Sequence, residues 1–147
     1  MKKIRIAALA LIATATLSAQ DLKTSEVPAS FTEGLLKKYP KATDIEWERD
    51  GTDYKVEFEV GRMEHEIWFN KDGETVRVEK DITKSHMPQG LIDIINKDYG
   101  DYKIDSVEAT EKNGQTTYRV ELEKSWNKQL IITYTKEGKV LNISKDD

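Results

Sequence analysis

The strongest constraint on this chain is an internal repeat. Val27-Pro28 precedes an apolar-periodic stretch that ends at Tyr39-Pro40, and Met87-Pro88 precedes a similar stretch that ends at Tyr99-Gly100. Four short segments of alternating apolar and polar residues follow each stretch. The offset between the copies is 60 residues at the start (87 − 27) and 65 near the end (138 − 73). Such a repeat indicates one supersecondary unit used twice, with loops of different length.

The first 19 residues have the pattern of a secretory signal peptide. A basic start at residues 2–5 and an apolar or small stretch at 7–17 precede a cleavage site after Ala19. The stretch is too short to span a membrane, and the chain has no cysteine to carry a lipid anchor. We therefore expect a periplasmic or secreted protein without membrane insertion, whose single domain spans residues 20–147.

Charge and cysteine content narrow the classes of partner and of chemistry. The chain has 23 basic and 27 acidic residues; without the three basic residues of the leader the balance is 20 against 27, a net charge of −7. This balance disfavours nucleic acid and anionic membranes as partners. Zero cysteines also exclude thiol nucleophiles and cysteine-type zinc sites.

The spacing of apolar residues predicts a helix and four strands in each copy. Helical spacing indicates a first helix over about 29–39, ended by Pro40, and a second over 91–99, ended by Gly100. Residues 20–26 are predicted to be a polar leader. The strands are predicted around the alternating segments 44–48, 54–60, 63–69, 75–79, 107–109, 118–122, 130–134 and 141–143.

The turns and the repeat together predict the architecture. Asp50-Gly51 and Asn113-Gly114 are typical of type I′ hairpins. A single helix cannot cover a sheet alone, so the two copies are expected to share one. The sequence therefore predicts an α+β fold, a tandem repeat of a helix plus a four-stranded antiparallel meander (27–82 and 87–144). The two units form one eight-stranded antiparallel sheet with both helices packed on one face.

Several residues of the first copy resemble those of the secreted PepSY-like family. They are Val27-Pro28, Lys38-Tyr39-Pro40, Ala42, Ile45-Glu46-Trp47, Tyr54, Glu57-Phe58, Phe69 and Gly73. The second copy matches less well, since Gly100 replaces the proline. The resemblance implies a beta-lactamase-inhibitor-like fold and the binding or inhibition of another exported protein. It implies no catalytic residue.

Turn positions predict which side chains lie opposite one another. In the first copy, two-residue turns at 50–51, 61–62 and 72–73 make opposed positions sum to 101, 123 and 145. Trp47 is then expected opposite Tyr54 on the apolar face. On the polar face, one row is predicted to be Glu46, Lys55, Trp68 and Arg77. The next row is predicted to be Asp44, Glu57, Glu66 and Glu79, with Glu59 opposite Glu64 nearby.

The second copy tests whether the fold requires the acidic row. A turn at 113–114 and a three-residue loop at 125–127 predict sums of 227, 252 and 275. The pair Glu46/Lys55 then recurs as Glu108/Arg119, whereas the acidic row becomes Ser106, Glu121, Ile131 and Ser144. The acidic row is therefore specific to the first copy, although like charges directly opposite cost up to about 1 kcal/mol a pair.

These positions leave alternative interpretations open. The acidic row either receives a basic surface or a cation, or is a solvated face that maintains solubility. Trp68 is either an anchor for a partner or a ring stacked between Lys55 and Arg77. Trp126, in a hairpin tip, is either a plug for a partner's pocket, which we favour, or a lid on the sheet. Ile131 adds an apolar contact on the same face.

Catalytic and metal motifs give little support to an enzyme. His65 and His86 are isolated, and no G-x-S-x-G motif is present. Carboxylates on a flat sheet are not expected to have the raised pKa that a general acid needs. The sequence predicts a non-catalytic exported protein, without cofactor, that binds another exported protein with a basic surface, and the family resemblance implies that binding restrains this partner. The alternatives are a cation or small-ligand carrier that uses the acidic row and an envelope domain without a specific ligand.

Overall fold

Nine strands lie in sequence order across one antiparallel sheet in the computed structural model, which describes residues 20–125 and 128–146. The predicted signal peptide at 1–19 lies outside these residues. The strands are β1 (Gln20–Leu22), β2 (Ala42–Asp50), β3 (Asp53–Val60), β4 (Met63–Phe69), β5 (Thr75–Asp81), β6 (Lys103–Lys112), β7 (Gln115–Ser125), β8 (Lys128–Thr135) and β9 (Val140–Asp146). The helices are α1 (Ala29–Lys38) and α2 (Gln89–Asp98).

The first strand corrects the prediction of eight strands. Gln20 pairs with Arg49 and Leu22 with Trp47, so the segment expected to be a polar leader extends the sheet beyond β2. An open sheet edge presents unpaired backbone groups that a neighbouring segment can satisfy. Leu22 also packs against the apolar cluster of the first copy. Three residues are too few to show an alternating pattern, which is why the sequence did not reveal this strand.

Both helices form where the spacing predicted them. Each follows a proline, Pro28 or Pro88, because proline lacks the N–H that the first helical turn leaves unbonded. Each ends in a tyrosine whose N–H donates to a carbonyl one turn earlier, at 2.8 Å from Tyr39 and 2.8 Å from Tyr99.

The core consists of two apolar clusters, one for each copy, on the same face of the sheet. In the first, α1 contributes Leu35 to a cluster with Trp47, Val56, Phe58 and Ile67. In the second, α2 contributes Leu91, Ile92 and Ile95 to a cluster with Val107, Val120, Leu122, Ile132 and Tyr134. The strand pairing of β5 with β6 joins the copies. Lys80 and Glu111, whose charged atoms are 3.4 Å apart, lie on the helix side of this junction. The sheet is therefore continuous while the core is divided.

The predicted register is wrong in the first hairpin. Trp47 lies opposite Val56 rather than Tyr54, because the turn residues are Gly51 and Thr52. Gly51 has φ +61° while Thr52 does not have a positive φ, as in a type II′ turn with glycine first. A bulge around Asp44, which has φ +51°, lies on the same strand.

The register predicted for the other hairpins is confirmed over most of their length. Val56 lies opposite Ile67, and Ile67 lies opposite Val78. In the second copy, Asn113 and Gly114 both have positive φ, at +53° and +73°, as a type I′ turn requires. The three-residue loop expected at 125–127 is shorter than predicted, since Ser125 pairs with Lys128 beyond a bulge.

Candidate binding surface

The face opposite the helices carries the polar side chains, and the corrected register changes two of its rows. The first row, called here the tryptophan row, consists of Glu48, Lys55, Trp68 and Arg77. The next row, called here the inner acidic row, consists of Glu46, Glu57, Glu66 and Glu79. Glu46 thus takes the place predicted for Asp44, which lies in the bulge.

The polar faces of the two copies still differ in the same way when the observed register is used. The pair that recurs as Glu108 and Arg119 is Glu48 and Lys55, rather than Glu46 and Lys55. The inner acidic row still corresponds to Ser106, Glu121, Ile131 and Ser144 in the second copy. The full set of four carboxylates is therefore specific to the first copy, and the second copy keeps one of them, as Glu121.

Trp68 lies on the polar face, but it does not protrude. Lys55 Nζ lies 5.3 Å from the centre of its ring, and Arg77 Cζ lies 4.5 Å away. Its Nε1 donates a hydrogen bond of 2.8 Å to Asp50 Oδ2. Only 7% of its surface is exposed. The stacked arrangement is therefore the one present, and each cation–π contact of this kind contributes about 0.5–1 kcal/mol or more when it is shielded from water.

Lys55 links the tryptophan row to the inner acidic row. Its ammonium forms a salt bridge with the carboxylate of Glu57 and lies 3.2 Å from Glu66 Oε2 and 3.8 Å from Glu48 Oε2. Arg77 is bonded to Glu79 in the same way, one strand further along. These cations reduce the repulsion between carboxylates that lie directly opposite one another.

A second acidic row lies beside the first and crosses the junction between the copies. Glu59 pairs with Glu64, and Asp81 pairs with Glu108. Glu64, Asp81 and Glu108 line a shallow cavity of about 60 Å³ together with Glu66, Glu79 and one basic residue, Lys80. We call Glu59, Glu64, Asp81 and Glu108 the outer acidic row.

The turns of the first copy predicted only the Glu59–Glu64 half of the outer acidic row. Hairpin turns specify the register within each copy, but β5 and β6 are joined by a longer connection, through residues 82–102, that contains α2. No turn arithmetic predicts which residue of β5 meets which residue of β6. Only the expectation that both copies share one sheet indicated that β5 and β6 are neighbours.

Two carboxyl groups on this face have raised pKa values, which corrects the expectation that a flat sheet would leave them unshifted. Burial raises the pKa of Glu66, and the like charges of Glu57 and Glu79 add to this effect while Lys55 opposes it. Burial also raises the pKa of Glu108, with a contribution from Glu79 and opposition from Arg119. Long neighbouring side chains on adjacent strands shield these carboxyls, although the sheet has no deep cleft.

Burial alone would lower the pKa of Lys55, but its hydrogen bonds to Glu57 and Glu66 outweigh this effect and raise it. The ammonium and the carboxylates therefore stabilise each other's charged forms. Glu57, Glu64 and Glu66 each also offer one carboxylate oxygen within 4.8 Å of the others. Three convergent oxygens are the beginning of a site for a hard cation, but Lys55 already holds two of these groups.

The remaining predicted residues are more scattered. Ile131 lies on the polar face between Glu121 and Ser144, half-buried and on the second copy. Trp126 lies outside the described residues. His65 stacks on Phe58 with ring centres 5.2 Å apart. Its Nδ1 lies 3.0 Å from the Met63 carbonyl oxygen.

The duplicated helix-and-meander unit, with its helices on one face and its polar side chains on the other, defines the class of fold. The sequence profile of one family matches residues 16–64 and, again, residues 52–142. That family is described as "Putative beta-lactamase-inhibitor-like, PepSY-like". These matches extend over most of the chain, so the protein belongs to the PepSY-like family.

Solved structures show the same fold at low sequence identity. A DUF2874 family protein from Bacteroides uniformis is 20% identical with a TM-score of 0.63, covering 81% of this chain and 89% of its own. A protein from Bacteroides eggerthii, provisionally described as periplasmic, is 23% identical with a TM-score of 0.64, covering 81% and 88%. A BLIP-like protein from Bacteroides fragilis is 22% identical with a TM-score of 0.60, covering 80% and 85%. None of the curated proteins compared with the chain matches it significantly.

Neither helix in the described part of the chain combines the length and apolar character that crossing a membrane requires.

Proposed function

We propose that this protein is a non-catalytic exported domain that binds a basic surface of another exported protein through the polar face of its sheet. Restraint of that partner's activity is the form of binding that the family description suggests. The BLIP-like protein of similar fold supports the same proposal. The pattern of residues 1–19 and the provisional periplasmic description of a structural relative support export.

The observation that carries the proposal is the pair of adjacent acidic rows. Together they place eight carboxylates on one half of the face, Glu46, Glu57, Glu59, Glu64, Glu66, Glu79, Asp81 and Glu108. The second copy keeps only one of the four inner-row carboxylates, as Glu121, so the architecture does not require this charge. Such a field speeds the encounter with a basic partner and disfavours acidic ones.

The burial of these carboxylates divides them into two groups. Glu46, Glu59, Glu64 and Asp81 are exposed, whereas Glu57, Glu66, Glu79 and Glu108 are half-buried. In the proposed complex, the exposed group meets the partner's lysines and arginines. The half-buried group forms a floor beneath them, in which Lys55 holds Glu57 and Glu66 and Arg77 holds Glu79. Trp68 supports this floor and is too well covered to act as an anchor itself.

A charge-matched pair of variants tests the proposed surface. The first variant neutralises the exposed group with Glu46→Gln, Glu59→Gln, Glu64→Gln and Asp81→Asn. The control has the same net charge but loses exposed acids elsewhere, with Glu33→Gln, Asp93→Asn, Asp105→Asn and Glu137→Gln. Each protein is immobilised and used to capture proteins from a periplasmic extract at low and at high salt.

We expect wild type and control to capture the same basic protein, and the first variant to lose it. Raising the ionic strength should weaken capture, since charges more than about 10 Å apart are screened at 0.1 M salt. Equal capture by both variants would show that overall charge, or a different surface, is responsible. A captured partner with an acidic surface would also contradict the proposal.

A cation carrier is the second candidate, favoured by the three convergent carboxylates of Glu57, Glu64 and Glu66. A cation at this position must displace Lys55 from two of them. Thermal unfolding with Ca²⁺ tests this function, because a ligand that binds only the folded state raises the melting temperature. A Lys55→Met variant should respond more strongly than wild type if a cation enters here. If Ca²⁺ raises the melting temperature of neither wild type nor Lys55→Met, the protein is not a cation carrier at this site.

A further inference from the structure

The two helices occupy equivalent places in the two copies, and two of the positions at which their sequences differ lie one turn apart on the same side. With the offset of 60 residues, Gly34 of α1 corresponds to Ile94 of α2. One turn later, Lys38 corresponds to Asp98. Residues four apart lie on one side of a helix. The first copy therefore has glycine, which lacks a side chain, one turn before Lys38. The second copy has the branched apolar side chain of Ile94 one turn before Asp98.

In the second copy, Ile94 fills the space between the helix and the turn before β9. Its Cδ1 lies so close to Gly138 that a Cβ there would collide with it. In the first copy, Gly73 occupies the equivalent turn and Phe31 packs against it; a Cβ added to Gly73 would lie 2.7 Å from Phe31 Cε1. A Cβ added to Gly34 would meet nothing within 4 Å.

The result is a notch of about 200 Å³ between α1 and the strands β4 and β5. The notch is lined mainly by the rings of Phe31, Tyr39 and Phe69 and by the buried side chains of Leu35 and Ile67, which are 3% and 2% exposed. Ser30 and Thr75 add hydroxyl groups to the lining. An apolar cavity of about 150 Å³ is large enough to hold a benzene molecule. The notch is therefore of the size of one small ring or a short branched chain.

The rim supplies a charge. Lys38 lines the notch, and its Nζ lies 5.4 Å from the centre of the Tyr39 ring. Among the described residues, Lys38 forms no ion pair, and no carboxylate lines the notch. In a chain with more acidic than basic residues, such a position favours an anionic group at the rim.

We propose that this notch binds a small monocarboxylate with a compact apolar body, aromatic or branched aliphatic, whose carboxylate pairs with Lys38. The site lies on the helix side of the sheet, so it is independent of the acidic rows on the opposite face. Its ligand is held chiefly by apolar burial, with the cation setting a preference for the anion over a neutral analogue.

The test uses benzoate and its uncharged analogue benzyl alcohol, titrated into the full domain and followed by NMR of the aromatic side chains. In wild type, we expect both probes to shift the signals of Phe31, Tyr39 and Phe69, and benzoate to bind more tightly. Gly34→Ile places the side chain of Ile94 at the equivalent position of α1, beside the notch, and should abolish the binding of both probes. Lys38→Asp should weaken benzoate by about two- to fivefold, the range of an exposed ion pair, while leaving benzyl alcohol unchanged.

Two controls separate loss of the site from loss of the fold. Gly34→Ile should raise the melting temperature, because it removes a helical glycine and fills the notch, so a folded variant without binding is the expected result. Gly34→Ala adds too little volume to fill the notch and should still bind both probes. Unchanged benzoate binding by Gly34→Ile, or no binding by wild type at the solubility limit of the probes, would overturn the proposal.

Discussion

Lys55 is the side chain whose removal most directly tests how the polar face is stabilised. It is 15% exposed and lies within ion-pair distance of Glu48, Glu57 and Glu66. Breaking an exposed ion pair costs at most about 1 kcal/mol, whereas breaking a fully buried one costs about 3–5 kcal/mol. Lys55→Met keeps the apolar contact with Trp68 but leaves Glu57 opposite Glu66 without a cation, which adds up to about 1 kcal/mol.

We expect Lys55→Met to lower the free energy of unfolding by about 2–3 kcal/mol at pH 7, between those two limits. For a domain of this size, the loss corresponds to a decrease of about 8–12 °C in melting temperature. The penalty should shrink at pH 5. Burial already raises the pKa of Glu66, and loss of the ammonium raises it further, so protonation of Glu66 on acidification removes one of the two opposed charges.

Urea denaturation at pH 7 and pH 5 measures these differences, with Glu66→Gln as a second background in which Lys55→Met should cost less. Lys80→Met is the matched control, because Lys80 forms a single exposed pair with Glu111 and should cost less than about 1 kcal/mol. An equal loss at both pH values and in both backgrounds would refute the electrostatic account. Lys55 would then act mainly by packing on Trp68.

Three further predictions follow from single side chains. Trp68→Phe should cost about 1 kcal/mol by removing the hydrogen bond to Asp50, and Trp68→Ala about 3 kcal/mol by opening a cavity, both measured by chemical denaturation. Tyr134→Phe should be neutral or slightly stabilising, because its buried hydroxyl has no hydrogen-bond partner among the described residues; a loss above about 1 kcal/mol would reveal a partner. Burial raises the pKa of Tyr134 to about 12, so the absorbance change that marks ionisation of its phenol should occur at a higher pH than for exposed tyrosines. Burial raises the pKa of Glu108, so protonation of this carboxyl should increase the free energy of unfolding as the pH falls from 7 towards 5. Glu108→Gln should reduce this increase. An equal increase in the variant would show that another group causes it.

Much of the architecture was accessible from the sequence because its determinants are local. A period of 3.6 residues and a flanking proline predict each helix, and the alternation of apolar residues predicts eight of the nine strands. Glycine-containing turns predict the register of most hairpins, since two-residue loops leave little freedom. The acidic side chains of Glu57, Glu66 and Glu79 could be placed in one row on the same grounds.

Other features depended on contacts between distant segments. Pairing of β1 with β2 and of β5 with β6 is decided by which edges meet, and neither a turn nor a period records this. The turn at Gly51 and Thr52 shifted the register of β2 by two residues relative to the prediction and brought Glu46 into the inner acidic row. The notch beside Gly34 became recognisable only when the packing of Ile94 in the second copy could be compared with it.

The sequence by itself therefore determined the duplicated unit, its helices and the polarity of its two faces, because periodicity and turn chemistry act within a few residues. Only the tertiary structure decided how completely Trp68 is covered, how the outer acidic row forms across the junction, and where apolar space remains unfilled. These properties depend on side chains that come together from separate strands and helices, and their energies arise from burial and from charges brought close in space.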